Sequence, residues 1–296
     1  MKYQRRFIKR KTFSGSMFKI SCWLLLIFAV LLTYLFFTNH MFAVELKQIR
    51  QAKTNFFSIG IDVSGTIKQD VLEDVKDALI FRLKKLVSDS ILSYSVYIFG
   101  VPGCGSHGID NIISKASPQT PGSFEKNIGS RIRAISISNK RIDFGMPLTT
   151  PFYCFLENIL PESRGGRVII FSDLVNDDYG CERKYFFPED AVAKFGKNRK
   201  GQIIFFYASP YVSGEYDVSK SKEKLINKQK MFIKKMKDMG KKGKVRVGFY
   251  KIPDDSGEKN FFFKTHLKNA MPETKFEIVW ERVSNIVSSM VTGVRG

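Results

Sequence analysis

The stretch Phe56-Phe-Ser-Ile-Gly-Ile61, followed at once by Asp62-Val-Ser64-Gly-Thr66, determines the fold class of this 296-residue chain. An apolar run that ends abruptly in polar residues is typical of a buried parallel strand. In open α/β sheets, ligands bind at the carboxyl ends of such strands. Asp62, Ser64 and Thr66 alternate along the backbone, so an extended turn can point their side chains the same way. One carboxylate and two hydroxyl groups suit a hard cation such as Mg²⁺ or Ca²⁺, with the remaining ligands coming from elsewhere.

Two later segments can supply those ligands. The first, Thr149-Thr150-Pro-Phe-Tyr-Cys-Phe-Leu156, has the pattern of a loop that runs into a helix. The second, Arg167-Val-Ile-Ile-Phe-Ser172-Asp173, is another apolar run that ends in a hydroxyl and a carboxylate. Each of these residues also has a purely structural interpretation, because Asp, Ser and Thr after a strand often only cap the next helix.

Taken together, the three segments resemble the von Willebrand factor A (VWA) domain family, over roughly residues 55–292. The metal-ion-dependent adhesion site (MIDAS) of that family reads Asp-x-Ser-x-Ser, then a Thr often followed by Pro-Leu-x-x-Ala-Leu, then a strand ending in Ser/Thr-Asp-Gly. Asp62, Ser64 and Thr66 match the first element, with Thr in place of the last Ser. Thr150 matches the second element. Asp173 matches the third, although the next residue is leucine where the family usually has glycine.

The resemblance implies a doubly wound, mainly parallel α/β sheet of the VWA/Rossmann-like type. It also implies a metal site in which Ser64, Thr66 and Thr150 bind Mg²⁺ (or Ca²⁺ or Mn²⁺) directly. Asp62 and Asp173 would bind the ion directly or through water. The open metal position would accept an acidic residue of a protein partner, so the resemblance predicts a binding module and not an enzyme.

The rest of the chain alternates strand and helix patterns, as a doubly wound sheet requires. Apolar stripes and alternation predict helices over 68–88, 124–135, 151–160, 219–239 and 277–291, and strands over 56–61, 91–99, 168–172, 202–207 and 244–252, with a short edge strand near 109–114. The run Phe261-Phe-Phe263 is expected in the core or at a strand edge.

Two enzyme families compete for the same residues. The first motif and the segment from Ser172 to Asp177 also resemble the Asp-x-Asp-Gly-Thr and acidic metal motifs of haloacid-dehalogenase-like phosphatases. That family uses its second Asp as general acid/base, and Ser64 stands at this position, where a hydroxyl cannot transfer protons near neutral pH. The run from Ile59 to Thr66 also resembles the first phosphate loop of sugar kinases and actin-like ATPases, but a helix is predicted where a hairpin should follow.

The amino-terminal end predicts a membrane anchor. Residues 1–19 carry seven Lys or Arg residues and are expected to form a basic cytoplasmic tail. Residues 20–38 are predicted to be a transmembrane helix, because the 18 residues from Ile20 to Phe37 carry no charge. Residues 39–54 would be a linker, with the VWA-like domain following over 55–292. The positive-inside rule then places the domain in the periplasm, on a single-pass protein of the inner membrane. A cleaved signal peptide is the alternative, but the apolar run is long for one and its flank is a poor cleavage site.

A second basic region runs from Lys220 to Arg246 and contains twelve Lys or Arg residues against two acidic ones. Its apolar residues recur at helical spacing, so it is predicted to be an amphipathic helix with a lysine-rich outer face. That face is either simply solvated or a docking surface for anionic lipid or an acidic partner. Nucleic acid is an unfavoured partner, since no recognition motif accompanies the charge.

Three of the four cysteines follow the predicted anchor, where disulfides can form. In the proposed sheet, the strands before Cys104 and Cys181 flank the first strand, so both following loops emerge at the metal edge. We therefore predict a Cys104–Cys181 disulfide. Cys154 falls on a helix and is expected to be a buried free thiol.

Overall fold

The computed structural model describes residues 56–87, 93–116, 120–137, 149–163, 166–178, 181–197, 201–212 and 218–271. The strands are β1 (Phe56–Asp62), β2 (Ser93–Phe99), β3 (Ile109–Ala116), β4 (Arg167–Ser172), β5 (Gln202–Tyr207) and β6 (Arg246–Lys251). The α-helices are α1 (Gln69–Leu86), α2 (Pro121–Phe124), α3 (Ser130–Arg133), α4 (Phe152–Glu162), α5 (Glu189–Lys197), α6 (Val218–Lys241) and α7 (Ser256–Ala270). A 3₁₀ turn (Gly105–Gly108) precedes β3, and a π-helical segment (Glu125–Gly129) joins α2 to α3.

The strands form one six-stranded sheet in the order β3-β2-β1-β4-β5-β6. All neighbouring pairs are parallel except β2 and β3, which are antiparallel. This order is that of a doubly wound sheet, in which the chain adds strands outward from β1 in one direction and then returns to add β4 on its other side. The predicted mixed α/β fold with a mainly parallel sheet is therefore confirmed, as is the edge strand near 109–114.

Helices cover both faces of the sheet. On one face, α1, the segment from α2 to α3, and α7 pack on strand residues such as Ile59 and Phe171. On the other face, α4, α5 and α6 pack on alternate residues of the same strands, such as Ile170 and Phe205. Because both faces are buried, the central strands are almost continuously apolar, which is why their sequences stand out as apolar runs.

Gly60 in β1 fixes the position of α4. A Cβ atom at this position would lie 2.4 Å from Cζ of Phe155, so the buried Phe155 ring would have to move. The absence of a side chain lets Phe155 pack directly on the backbone of the first strand. The loop before α4, which carries Thr150, is thereby held against the strand that ends in Asp62.

Two helices had no counterpart in the sequence-based prediction, α5 and α7. The run from Phe261 to Phe263 lies inside α7, so the strand-edge alternative for it is wrong. Phe263 is buried in the core, whereas Phe261 is 75% exposed. The predicted helix over 277–291 lies outside the described residues.

The predicted basic tail (1–19), transmembrane helix (20–38) and linker (39–54) also lie outside the described residues and stay predictions. Within the ranges that the structure describes, no helix combines the length and the apolar character needed to cross a bilayer.

Candidate functional site

The candidate site lies where the strand order reverses, between β1 and β4. Asp62 is the last residue of β1, and Asp173 directly follows the last residue of β4. The two strands are parallel neighbours, so their carboxyl ends meet at the same edge of the sheet. The connections from β1 and from β4 then run in opposite directions along the sheet, which opens a crevice between them. This crevice is the general ligand position of doubly wound sheets.

Hydrogen bonds hold Asp62 in a fixed orientation. Its side chain is buried, and Oδ1 accepts a hydrogen bond of 2.9 Å from the backbone N–H of Ser64. Oδ2 accepts one of 2.7 Å from the hydroxyl of Ser172 at the end of β4. The hydroxyl groups of Ser64 and Thr66 lie 3.0 Å apart. Residues from both strands thus converge on the crevice, as the sequence predicted for the three residues of the first motif.

Asp173 is fully buried, and the described residues give one of its two carboxylate oxygens no hydrogen bond of regular geometry. Oδ1 accepts a hydrogen bond of 3.0 Å from the backbone N–H of Val175. Among the described residues, Oδ2 receives no hydrogen bond of regular geometry. A buried polar atom without a partner is costly unless something outside the chain satisfies it.

Burial makes the charged forms of the two carboxyl groups unfavourable. Burial raises the pKa of Asp62, although the hydrogen bonds from Ser64 and Ser172 oppose the rise. Burial also raises the pKa of Asp173, and the negative charge of Asp62 raises it further, while the hydroxyl of Thr66 acts in the opposite direction. A bound proton or a nearby positive charge would each relieve the cost of burying these two carboxyl groups.

The next residue, Leu174, has a backbone conformation that favours glycine. Its φ angle is +61°, in the left-handed region that an L-residue rarely adopts. The backbone N–H donates a hydrogen bond of 2.8 Å to the hydroxyl of Ser172. The side chain is 1% exposed and packs in the core formed with α4 to α6. The turn at this position is thus left-handed, although the residue is a leucine.

Thr150 reaches the same edge through its backbone. Its N–H donates to the carbonyl of Asp177 over 2.9 Å, and its carbonyl accepts from the N–H of Asp177 over 3.0 Å. Because Asp177 lies only four residues after Asp173, this pairing places the backbone of the second motif segment, which contains Thr150, close to the segment that follows β4. Thr150 itself is buried.

A disulfide joins the loop after β2 to the loop after β4 beside this pairing. Cys104 and Cys181 are bonded, with their Cα atoms 5.7 Å apart, which confirms the prediction. Beside Cys104, the carbonyl of Gly103 accepts a hydrogen bond of 2.8 Å from the hydroxyl of Thr149. On the other side, the N–H of Cys181 donates to the carbonyl of Asp178 over 3.0 Å. The disulfide therefore ties together the two loops between which Thr149 and the next residue are held. Cys154 is buried and free, also as predicted.

Three residues contribute to the site although the sequence patterns did not assign them to it. Ser172 orients Asp62. Gln229 of α6 is buried and donates from Nε2 to the carbonyls of Asp173 (2.7 Å) and Ala208 (2.8 Å), which locks the loop after β4 to the end of β5. Gly100 has a φ angle of +90° and would place a Cβ atom 2.8 Å from the backbone nitrogen of Ser64. In the sequence, Gln229 could have been recognised as a polar amide residue among the apolar positions of its helix.

The donor set fits a hard divalent cation. All candidate ligands are oxygen atoms, two carboxylates and three hydroxyl groups, which is the chemistry that Mg²⁺, Ca²⁺ and Mn²⁺ prefer. The Oδ2 atom of Asp173 and the cost of burying the two carboxyl groups both favour a cation. Within the described part of the chain, no cluster of three or more His, Cys, Asp or Glu side chains that could hold a metal ion occurs, and the candidate site itself contains two carboxylates.

Comparisons with known proteins give distant similarities. No protein-family model and no curated protein matches the chain. It is similar to the pilus adhesin SpaC from Lactobacillus rhamnosus GG in its open conformation, with a TM-score of 0.43 and 9% identity over 74% of this chain and 30% of that one. It is also similar to von Willebrand factor type A from Catenulispora acidiphila, with a TM-score of 0.38 and 11% identity over 73% and 42% of the two chains. The chain thus spans less than half of each solved chain, and its function has to be inferred from the chemistry of its own site.

Proposed function

We propose that this protein is a membrane-anchored VWA-like domain that binds a protein partner through a divalent metal ion in a MIDAS-type site. One observation supports this most directly. Two buried carboxyl groups, Asp62 and Asp173, lie at the switch point of the sheet, and Oδ2 of the second one receives no hydrogen bond of regular geometry from the described residues, although the hydroxyl of Thr66 lies close enough to lower the pKa of this carboxyl group. A bound cation would satisfy that oxygen and compensate both charges.

Each site residue has a role in this proposal. Ser64, Thr66 and Thr150 would offer hydroxyl oxygens directly to the ion. Asp62 already accepts hydrogen bonds on both oxygens, so it would act through water or through its remaining lone pairs. Asp173 would use Oδ2. The bound ion supplies a Lewis-acidic position for an oxygen ligand of the partner.

An acidic residue is the partner group that this site would favour. A divalent ion held by three neutral hydroxyl groups and by carboxylates acting partly through water keeps a net positive field at short range. An incoming Asp or Glu would complete both the charge and the coordination. The excess of basic over acidic residues within the domain itself would also raise the association rate of an acidic segment.

The proposed location is the periplasmic side of the inner membrane, with residues 20–38 as the anchor. The disulfide between Cys104 and Cys181 supports an oxidising compartment, because cytosolic thiols are normally kept reduced. A tethered binding domain in this place would suit a scaffold of an envelope-spanning assembly such as a secretion, conjugation or pilus system. That last step is an analogy at the level of architecture.

A Mg²⁺-dependent phosphatase of the haloacid-dehalogenase type is less well supported. The residue at its acid/base position is Ser64, whose hydroxyl lies 3.0 Å from that of Thr66 and cannot act as an acid or base near neutral pH. Both oxygens of Asp62, the nucleophile in that family, are engaged in hydrogen bonds.

The proposal is tested by capture of partners from the native membrane with Mg²⁺ or with chelator. Wild-type protein should retain an envelope protein only with Mg²⁺, and Asp62→Ala and Asp173→Ala should lose it, with a smaller loss for Thr150→Ala. Asp177→Ala is the matched control. The Asp177 side chain is 45% exposed, and its Oδ1 lies 3.8 Å from Nζ of Lys228, in a surface ion pair. Identical capture by wild type and the two aspartate variants, with or without chelator, would contradict the proposal. Phosphate release by the wild type from aryl phosphates would favour the phosphatase.

A further inference from the structure

Helix α6 presents one row of lysines to solvent. Lys230, Lys234, Lys237 and Lys241 recur at spacings of four, three and four residues, and all four are exposed. We call them the lysine stripe. At about 1.5 Å per residue, the stripe runs roughly 16 Å along the helix axis. The opposite face of the helix, with Phe232, Met236 and Met239, is buried in the core.

The charges of the stripe have no counter-charges in the described part of the chain. None of the four ammonium groups forms an ion pair there, although Asp238 lies on the same helix between them. The ion pairs nearby belong to other lysines, Lys228 with Asp177 and Lys244 with Glu189. Like charges at helical spacings of three and four residues destabilise a helix, so the arrangement favours an external anionic surface that offsets the repulsion.

Exposed apolar side chains flank the lysine stripe. Met231 is 61% exposed and Phe186 is 83% exposed. Phe187 packs with its ring centroid 5.9 Å from that of Phe232, and Lys235 lies 5.3 Å above the same Phe187 ring, which brings the adjacent Phe186 to the flank of α6. Lysines beside a large exposed aromatic group and a methionine suit an anionic lipid surface, where the apolar groups can enter the headgroup region while the cations stay outside.

We propose that the lysine stripe, with Phe186 and Met231, docks the domain on an anionic lipid bilayer. A flat, extended row of cations with apolar groups at its edge matches a lipid surface better than the compact acidic group that the metal site would take. The uncharged run of 18 residues in the same chain, if it is an anchor, would keep the domain within reach of that surface. The inference does not require a bound metal.

The test uses the full chain in lipid nanodiscs made of phosphatidylcholine alone or with about one third phosphatidylglycerol. Mass spectrometry would follow the acetylation rate of each lysine by an amine-reactive reagent. In the anionic discs, each lysine of the stripe should react about five-fold more slowly, the ratio expected for one cation near an anionic bilayer. The protection should be lost when salt is raised to about 1 M, where the Debye length falls to roughly 3 Å.

Two kinds of control make the outcome decisive. Lys84 of α1 and Lys264 of α7 are exposed on the opposite face of the sheet and should react equally in both discs. Lys234→Gln combined with Lys237→Gln should reduce the protection of Lys230 and Lys241, and Phe186→Ser should reduce it further. Equal reactivity of the stripe in both discs would overturn the proposal. Equal protection of Lys84 and Lys264 would also overturn it, because binding would then follow net charge and not the stripe.

Discussion

Leu174 occupies a backbone conformation that favours glycine, yet its side chain fills a place in the core. The left-handed conformation costs an L-residue about 1–2 kcal/mol. Burial of a leucine side chain contributes more than that, about 2–5 kcal/mol by truncation. Because the stabilisation from burial exceeds the cost of the strain, a leucine is tolerated next to Asp173.

This balance predicts an unusual order of stabilities. Leu174→Ala keeps the strained φ angle and loses the side chain, so it should lower the free energy of unfolding by about 3 kcal/mol. Leu174→Gly loses the same side chain but removes the strain, so it should be about 1 kcal/mol more stable than the alanine variant. Urea unfolding measures both. An alanine variant more stable than the glycine variant, as in ordinary helices and strands, would show that the left-handed turn is not present in solution.

At the scale of single residues, the local order of Asp62, Ser64 and Thr66 could be predicted from the sequence, but not the contacts that hold them. Asp62, Ser64 and Thr66 could be placed together because alternation in an extended turn depends only on local geometry. Ser172 was visible as a polar strand end, but its hydrogen bond to Asp62 depends on the register between β1 and β4. Gln229 comes from a helix that follows the motif by more than 50 residues, so only the tertiary fold brings its amide to the carbonyl of Asp173.

At the scale of the elements, the disulfide between the β2–β3 loop and the β4–α5 loop supports the Thr150 side of the site. Cys104→Ser combined with Cys181→Ser should lower the free energy of unfolding by about 4 kcal/mol in the chain-entropy model. It should also weaken Mn²⁺ binding several-fold, because the loops that hold Thr149 and Thr150 lose their covalent tie. Cys154→Ser is the control for loss of a buried thiol. Unchanged Mn²⁺ affinity in the double variant would mean that the hydrogen bonds alone position Thr150.

Helix α7 is joined to α1 by Lys259, whose side chain is 2% exposed and whose Nζ lies 3.0 Å from Asp70 and 2.9 Å from Asp74. Burial acts against the charge of Lys259, but the hydrogen bonds with Asp74 and Asp70 outweigh it and raise its pKa. The hydrogen bond from Lys259 lowers the pKa of Asp70. A carboxyl group whose pKa is depressed in the folded state stabilises the protein above its unfolded pKa, and that stability is lost as the pH falls through the folded pKa.

This pH dependence of stability predicts how a variant with methionine in place of Lys259 should behave. Near pH 7, the free energy of unfolding of Lys259→Met should lie within about 1 kcal/mol of the wild-type value. A well-packed apolar residue then replaces a buried cation whose partners are solvent-screened. As the pH falls through the lowered pKa of Asp70, Lys259 loses this counter-charge, and the methionine variant should become the more stable one. Lys264→Met, at an exposed position of the same helix, should show no such crossing. A difference from wild type that stays constant across this pH range would rule out the pairing.

The sequence did not predict α7 because its pattern is ambiguous. Three consecutive phenylalanines favour a strand by propensity. The helix is instead set by the cap of Asp255, whose side chain accepts from the N–H of Gly257 over 2.7 Å, and by packing of Phe263 and Leu267 against α1 and the sheet. In α7, tertiary packing therefore outweighs the local strand propensity. In β1, β4 and β5, the apolar runs agree with the fold, so those strands were predicted almost to the residue.

At the scale of the whole molecule, the chain is expected to cross the membrane once. A reporter that is active only in the periplasm, fused after Gly296, should be active, because seven basic residues precede the uncharged run of residues 20–37. A fusion of the same reporter after Lys11 should be inactive. Activity of only a cytoplasmic reporter at the carboxyl terminus would contradict the proposed location and remove the link between the disulfide and the compartment.

The central claim is that the crevice between β1 and β4 holds a divalent ion on Asp62 and Asp173. Electron paramagnetic resonance of Mn²⁺ titrated into the full chain in detergent measures this most directly, because free and bound Mn²⁺ give different signals. We predict saturable binding of one ion per chain that Mg²⁺ displaces. Asp62→Asn and Asp173→Asn should each abolish it, and Asp177→Asn should keep it. Equal Mn²⁺ binding by wild type and Asp173→Asn, or no binding by the folded wild type, would contradict the account.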